Sequence, residues 1–192
     1  MLDHGPRGIR PMTMEVSLQA GFVDPVDEAQ AGFRATLDAM AGPGKIVPMP
    51  LPAEHPDGMS AAAAAVLLTL ADYTTPLWID PAFPERDALI GYLRFHTGAP
   101  ITGNPAAAAF ALIARDTPTD VPFDGFSIGD PDYPDRSTTV IIEVSDLEGG
   151  DTRTLIGPGI DGSRMLAASG LPAGFWDAMT ANAERFPHGL DA

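Results

Sequence analysis

Apolar residues recur at helical spacing in four segments of this chain. The first lies over residues 25–41, where Asp24 can cap a helix and Pro25 suits its first turn. Phe33, Leu37 and Met40 form an apolar stripe along this helix, and a Gly-Pro-Gly sequence ends it. Three further helices are predicted by the same spacing, over residues 61–72, 84–96 and 171–183. In the last of them, Phe175, Trp176 and Met179 face inward.

Other segments have the pattern of strands. Thr138–Ser145 is β-branched and almost continuously apolar, which is typical of a strand near the centre of a sheet. Gly149 and Gly150 then predict a turn, and residues 152–157 return as the antiparallel partner of that strand. A short strand containing Trp78 is predicted over residues 74–79, and a short helix at Asn104 leads into the apolar run 110–114.

Two segments have a weaker pattern. Residues 46–51 look extended, but their prolines confine them to a sheet edge or a loop. Residues 115–136 are rich in Asp, Pro and Gly and predict a loop, with a short strand near Phe126 and Ile128. Helices alternating with strands predict an α/β fold, with a mixed sheet covered by helices. We expect residues 1–13 to be a loose N-terminal extension and residues 14–192 to form one domain.

Composition narrows the classes of function. The 192 residues carry a formal net charge of −15, which disfavours binding to nucleic acid or to an anionic membrane. No run of apolar residues predicts a membrane span, and no signal peptide is recognisable, so we expect a cytoplasmic protein. The absence of cysteine excludes disulfides, thiolate metal sites, iron–sulfur clusters and cysteine nucleophiles. Lys45 is the only lysine and thus the only residue that could form an internal Schiff base.

The most distinctive polar residues lie in LRFHTGAP, at the end of the third predicted helix. Arg94, His96 and Thr97 are the candidate contacts for a phosphate or phosphonate, with Arg34 as a weaker companion, because arginine binds such anions with two parallel hydrogen bonds. A structural interpretation is favoured by the position of these residues. The end of a helix carries negative partial charge, which repels an anion and favours Arg94 and His96 as helix caps.

Other motifs give no site. The glycines of Gly157–Gly162 do not have the spacing of a nucleotide-binding loop and predict a turn. Asp130, Asp132 and Asp135 lack the glycine and glutamate of a calcium loop. The four histidines are scattered without metal-ligand spacing, so no metal is predicted.

Several segments together resemble one family. They are Phe33–Gly44, Val66–Ile79, Leu93–Pro100, Thr139–Val144 with the glycine turn that follows, and Leu155–Ile160. In this order and spacing they are similar to PhnH, a subunit of the bacterial carbon–phosphorus lyase system, and the similarity runs from about Gly21 to Asp191. Family members continue beyond the Phe186–Asp191 segment as further strand, so we expect the C-terminal end of this chain to be shortened.

The resemblance implies a role in the breakdown of organic phosphonates. In that system PhnG, PhnH, PhnI and PhnJ form a core complex, and together with an ATPase-like subunit they transfer ribose triphosphate from ATP to a phosphonate. The product class is that of the alpha-D-ribose 1-methylphosphonate 5-triphosphate synthase, and a radical step on another subunit later breaks the carbon–phosphorus bond. ATP is therefore a substrate of the assembled system rather than a cofactor of this chain.

The resemblance also implies a fold like the large domain of PLP-dependent transferases, without PLP, and a homodimer when the subunit is alone. We expect a mainly architectural subunit without phosphonate-cleaving activity of its own. Two alternatives remain: a stand-alone PLP-like transferase acting through Lys45, and a binding module for a phosphonate or phosphorylated metabolite.

Overall fold

The computed structural model describes residues 19–115, 117 and 121–192, so the predicted extension over residues 1–13 lies outside the described residues. Four α-helices are described, and each confirms a predicted one: α1 (Pro25–Ala41), α2 (Ala61–Leu70), α3 (Arg86–Thr97) and α4 (Phe175–Ala183). Asp24 caps α1 by accepting the Asp27 N–H at 3.2 Å. None of the helices in these residues has both the length and the apolarity to cross a membrane.

Three short parallel strands form the central sheet. They are β1 (Leu77–Ile79), β2 (Phe110–Ile113) and β3 (Thr139–Ile142), in the order β1-β2-β3. The α/β class is therefore confirmed, but the central position predicted for Thr138–Ser145 is wrong, because β2 lies between the other two strands. β2 is short but fully apolar, which is the pattern of a strand covered on both faces. At the outer edge of β3, the Asp191 carbonyl accepts the Val140 N–H at 2.7 Å.

A separate antiparallel hairpin follows the sheet. It consists of β4 (Arg153–Leu155) and β5 (Arg164–Leu166), so the predicted pairing of residues 152–157 with β3 is wrong, and so is the single mixed sheet. The chain leaving β3 bonds instead to the residues after β5: the Ser145 N–H donates to the Ser169 carbonyl, and the Gly150 N–H to the Ala167 carbonyl, both at 2.7 Å. The glycine turn thus ends β3 without returning the chain along it.

The segment between β2 and β3 contains no strand in its described part. The strand predicted near Phe126 and Ile128 is replaced by a 3₁₀ turn at Phe123–Gly125 and one isolated bridge from Ile128 to Ser137. Phe126 is a core residue within this loop, with 4 % of its surface exposed. Its ring packs edge-on against the ring of Trp78, with 5.4 Å between the ring centroids. A single buried aromatic in a loop gives the same short apolar signal as a strand. Residues 46–51 are likewise a loop.

The strands separate two apolar cores. Leu77, Ile79 and Leu112 face one side of the sheet, and Trp78, Ala111 and Ile113 face the other, as expected from the alternation of side chains along a strand. Helices α2 and α3 cover the first side, while α4 and the loop around Phe126 cover the second. Because α3 connects β1 to β2, it begins at the carboxyl end of the sheet and ends at its amino end. This arrangement gives the two ends of the sheet different sets of polar residues.

Candidate functional site

His96 fastens the chain that enters the domain to the end of α3. Its Nε2 lies 2.9 Å from the Gln19 carbonyl oxygen, so this nitrogen carries the proton and donates. A Cβ at Gly21 would lie 3.0 Å from the imidazole, so the entering chain passes directly over the ring. The ring of Tyr92 lies 4.5 Å away, and burial raises the pKa of the Tyr92 hydroxyl. The predicted position of His96 on the inner side of the helix is confirmed.

Thr97 and Arg94 lie in the same last turn of α3. The Thr97 hydroxyl donates to the Leu93 carbonyl at 2.6 Å and accepts the Ala99 N–H at 3.1 Å, so it holds the helix end. Gly98 takes the left-handed conformation, with a φ of 70°, and its N–H donates to the Arg94 carbonyl. The Arg94 side chain is exposed. Of the three residues, Arg94 presents its polar group to solvent, whereas His96 and Thr97 use theirs to bond backbone.

Arg34 lies on a different helix. It is an exposed residue of α1, and its Nη2 donates to the Gln30 side chain at 2.7 Å, one turn earlier. No hydrogen bond among the described residues joins Arg34 to the three residues of α3. The structure thus brings Arg94, His96 and Thr97 together on one helix turn and leaves Arg34 apart, and their binding of a phosphonate stays a prediction.

The turn that carries Arg94 lies at the amino end of the sheet. Directly after α3, the Pro100 carbonyl accepts the Leu77 N–H at 2.8 Å, beside the start of β1. Ligands of open α/β sheets bind at the opposite end, outside the carboxyl ends of the strands. That end contains buried polar residues that sequence analysis did not select.

Asp80 follows β1 directly and is 3 % exposed. Its Oδ1 accepts the Ala82 N–H at 2.9 Å. Its Oδ2 accepts the Ala114 N–H at 3.2 Å and the Thr117 hydroxyl at 2.7 Å. One carboxylate therefore ties Ala114, the residue after β2, and Thr117 to the end of β1.

Glu143 follows β3 directly and is 7 % exposed. Its Oε1 accepts the Ser60 N–H at 2.7 Å, and the Ser60 hydroxyl accepts the Ala63 N–H at 3.1 Å. A carboxylate at this place complements the positive end of the α2 dipole. Glu143 thus joins the third strand of the sheet to the beginning of α2, across 83 residues of sequence.

A cation lies at the same end. Arg86, the first residue of α3, donates from Nε to the Ile79 carbonyl at 3.3 Å, next to Asp80. The sequence signal for this polar cluster was a single acidic residue directly after an apolar strand, in LWID and again in TVIIE. Such acids interrupt the apolar pattern at the point where a parallel strand ends. Their place directly after a strand is therefore a sequence signal that could have identified them as candidate site residues.

Lys45 lies on the surface. It forms an ion pair with Asp38 of α1, and its side chain is 45 % exposed. A Schiff-base lysine needs desolvation or a neighbouring cation, whereas this amine is exposed and paired with a carboxylate. The surroundings of Lys45 therefore do not fit the PLP alternative.

Two open clefts flank the 3₁₀ turn Pro134–Arg136. One, of about 720 Å³, lies against the segment 182–191, and the other, of about 810 Å³, lies between residues 74–76, 106–109 and the turn. Arg136 stacks on the Tyr133 ring at 3.7 Å beside the second cleft. Within the described residues, no group of three or more histidine or acidic side chains could hold a metal ion.

The fold and the site define a small α/β domain whose buried polar residues gather at the carboxyl end of a parallel sheet. A family model described as a bacterial phosphonate metabolism protein, PhnH, matches residues 20–192. The chain therefore belongs to the PhnH family, and the resemblance drawn from its segments is confirmed.

Two curated relatives are similar to this chain over most of its length. The Rhizobium meliloti protein named alpha-D-ribose 1-methylphosphonate 5-triphosphate synthase subunit PhnH is 41% identical over 182 residues, which cover 94% of this chain and 90% of the relative. HtxG of Stutzerimonas stutzeri, whose name assigns it to the C–P lyase subunit proteins, is 27% identical over 162 residues, covering 84% of this chain and 75% of that protein.

Proposed function

We propose that this protein is a non-radical subunit of a carbon–phosphorus lyase complex and supports the transfer of ribose triphosphate from ATP to a phosphonate. The observation that carries the proposal is the 41% identity, over 94% of the chain, to a relative named as the PhnH subunit of the corresponding synthase. The second relative is named for the same lyase system, which supports membership of such a complex.

The role is mainly architectural. The buried carboxylates Asp80 and Glu143 accept hydrogen bonds that join strands, loops and helix α2, which supports a structural use of both. Without cysteine, the chain has no thiolate to hold the iron–sulfur cluster of a radical step. That step belongs to another subunit, and the isolated chain does not cleave phosphonates.

The proposed partners are PhnG, PhnI and PhnJ, with a homodimer when the subunit is alone and the cytoplasm as its compartment. Two-fold dimers are the commonest closed assemblies, which supports the homodimer. The fold is that of the large domain of PLP-dependent transferases, used without PLP. The surface ion pair of Lys45 supports the absence of PLP. When PLP is added, we expect the wild type and Lys45→Ala to show the same visible absorbance, without a band from a Schiff base at Lys45.

A second function, binding of a phosphonate or phosphorylated metabolite, is favoured by the exposed Arg94 in a chain of net charge −15. On such an acidic surface a cation that faces solvent is the natural contact for an anionic ligand. Isothermal titration of the isolated protein with methylphosphonate and with ATP would detect this function directly.

The main proposal is tested by deletion and complementation of the gene in a bacterium that grows on methylphosphonate as its only phosphorus source. We expect growth to stop when the gene is deleted and to return with the wild-type copy. A tagged copy should recover the partner subunits from the same cells. Growth without the gene, or turnover of a phosphonate by the purified single chain, would contradict the proposal.

A further inference from the structure

Helix α1 presents its large apolar side chains to solvent. Val26, Phe33, Leu37 and Met40 are 77%, 48%, 51% and 49% exposed, and they share one side of the helix because they lie seven, four and three residues apart. We call these four residues the outer stripe. At 1.5 Å per residue it is about 21 Å long.

The opposite side of α1 is made of small residues and packs on α2. Gly32 is its buried residue, and a Cβ there would lie 2.6 Å from the Thr69 hydroxyl oxygen of α2. The two helices therefore approach closely, through a side of α1 that has no large apolar group. An ordinary surface helix has the reverse arrangement, with its large apolar residues toward the core. The outer stripe is thus suited to contact outside the domain.

The position of the stripe is rigidly held. Directly after α1, the carbonyls of Gly42 and Pro43 each accept a hydrogen bond from Arg164 Nη1 at 2.8 Å. Arg164 belongs to β5, so the hairpin fixes the C-terminal end of α1. The N-terminal end is fixed by the Asp24 cap. A preorganised helix loses little entropy when a partner binds, which makes such a helix a good docking element.

The charge around α1 distinguishes two possible occupants of the outer stripe, a second copy of this chain and a different subunit. Two copies that met through α1 would bring its like charges together, which opposes a second copy at this face in a chain of net charge −15. The helix and its ends carry more acids than bases: Asp24, Asp27, Glu28 and Asp38 against Arg34 and Lys45. A partner with basic residues around an apolar face is attracted by the same field.

We propose that the outer stripe of α1 is the face by which this protein docks onto another subunit of the complex, one that offers an apolar groove with a basic rim. The inference rests on the proposed function, because the occupant is a subunit of that complex and not a second copy of this chain. Large apolar side chains at the centre of an interface carry most of its binding energy.

The test uses co-expression of the complex with wild type, Leu37→Glu and Tyr73→Glu. Leu37 lies at the centre of the stripe, and Tyr73 is a large exposed residue outside it, with 78% of its surface exposed against 51% for Leu37. We expect Leu37→Glu to lower the amount recovered on a tagged partner subunit by about tenfold or more, and Tyr73→Glu to leave it within about twofold. Recovery of the wild type should fall as ionic strength rises.

The outcomes are distinguishable. If the wild type itself recovers no partner subunit, the proposed function fails. If wild type and Leu37→Glu are recovered equally, the docking face is wrong while the function stands. If Leu37→Glu changes the oligomeric state of the isolated protein in light scattering, the occupant is a second copy. If it lowers the melting temperature of the isolated chain by more than a few degrees, the stripe packs within the chain itself. Either of these last results overturns the inference, and so does recovery that rises with salt.

Discussion

The two ends of the sheet use polar residues differently. At the carboxyl end, Asp80 and Glu143 are buried and bond to groups 34 to 83 residues away in sequence. At the amino end, the last turn of α3 presents Arg94 to solvent, while Thr97 bonds within its own turn and His96 holds the entering chain. Of the residues most conspicuous in the sequence, Thr97 thus stabilises its own helix turn and His96 holds a segment 77 residues earlier. The less conspicuous carboxylates join the strands of the sheet to each other and to α2.

The largest effect is expected at Asp80. Asp80→Ala removes the acceptor of three buried or half-buried donors, the N–H groups of Ala82 and Ala114 and the Thr117 hydroxyl. We expect a loss of about 3 kcal/mol in the free energy of unfolding, since each unpaired buried donor costs about 1 to 3 kcal/mol. Urea denaturation measures it, with the exposed Asp132→Ala as control. A loss no larger than the control's would show that Asp80 does not tie the strands together.

A smaller loss is expected at Glu143. Glu143→Ala leaves the Ser60 N–H without its acceptor and removes a negative charge from the start of α2. We expect a loss of about 2 kcal/mol, and of about 1 kcal/mol for Glu143→Gln, which keeps an oxygen but not the charge. Equal losses in the two variants, again by urea denaturation, would mean that the charge contributes nothing.

At the amino end of the sheet, we expect His96 to contribute more to the free energy of unfolding than Arg94. His96→Ala removes the bond to Gln19 and opens space beneath Gly21, so we expect a loss of about 1.5 kcal/mol. Arg94→Ala removes an exposed cation at a helix end, which contributes about 0.5 kcal/mol. Thermal unfolding compares the two. Their order would be reversed if Arg94 were the main structural cap.

Activity then tests the ligand role of Arg94. If Arg94 binds the phosphonate, Arg94→Ala should fold and assemble with its partners but lose phosphonate-dependent activity of the whole complex. Full activity in a folded, assembled variant would remove Arg94 from the site. Arg34→Ala is a matched control, because Arg34 is also exposed but lies on another helix.

The smallest effect concerns Asp72, in the exposed turn between α2 and β1. Hydrogen bonds from the Thr74 hydroxyl and N–H lower the pKa of this carboxyl below its ordinary value of 3.8. Because the pKa of Asp72 is lowered on folding, these hydrogen bonds stabilise the folded protein fully at pH values above the ordinary pKa. That stabilisation of the fold is lost as the pH falls through the pKa of Asp72 in the folded state. In NMR titrations Thr74→Ala should move the pKa of Asp72 upward. An unchanged titration would remove the Thr74 hydroxyl as its cause.

Sequence patterns predicted the helices well because each has its own local signals. Asp24 and Pro25 begin α1, and Gly98 ends α3, so these boundaries depend on residues next to them. Strand pairing depends on distant residues instead. Nothing near Gly149 and Gly150 indicates that the following chain bonds to Ala167 rather than to β3. The buried cluster was missed for the same reason, since Asp80 and Ala114 become neighbours only when β1 and β2 pair.

The bond from Arg164 to the end of α1 has a consequence for synthesis of the protein on the ribosome. The guanidinium that satisfies the Gly42 carbonyl lies 122 residues later in the chain. At 5 to 20 residues per second, this group leaves the ribosome roughly 6 to 24 seconds after the helix does. During translation the end of α1 is therefore held only by local bonds, such as the Lys45 N–H donating to the Gly42 carbonyl at 2.9 Å, until the hairpin has been made.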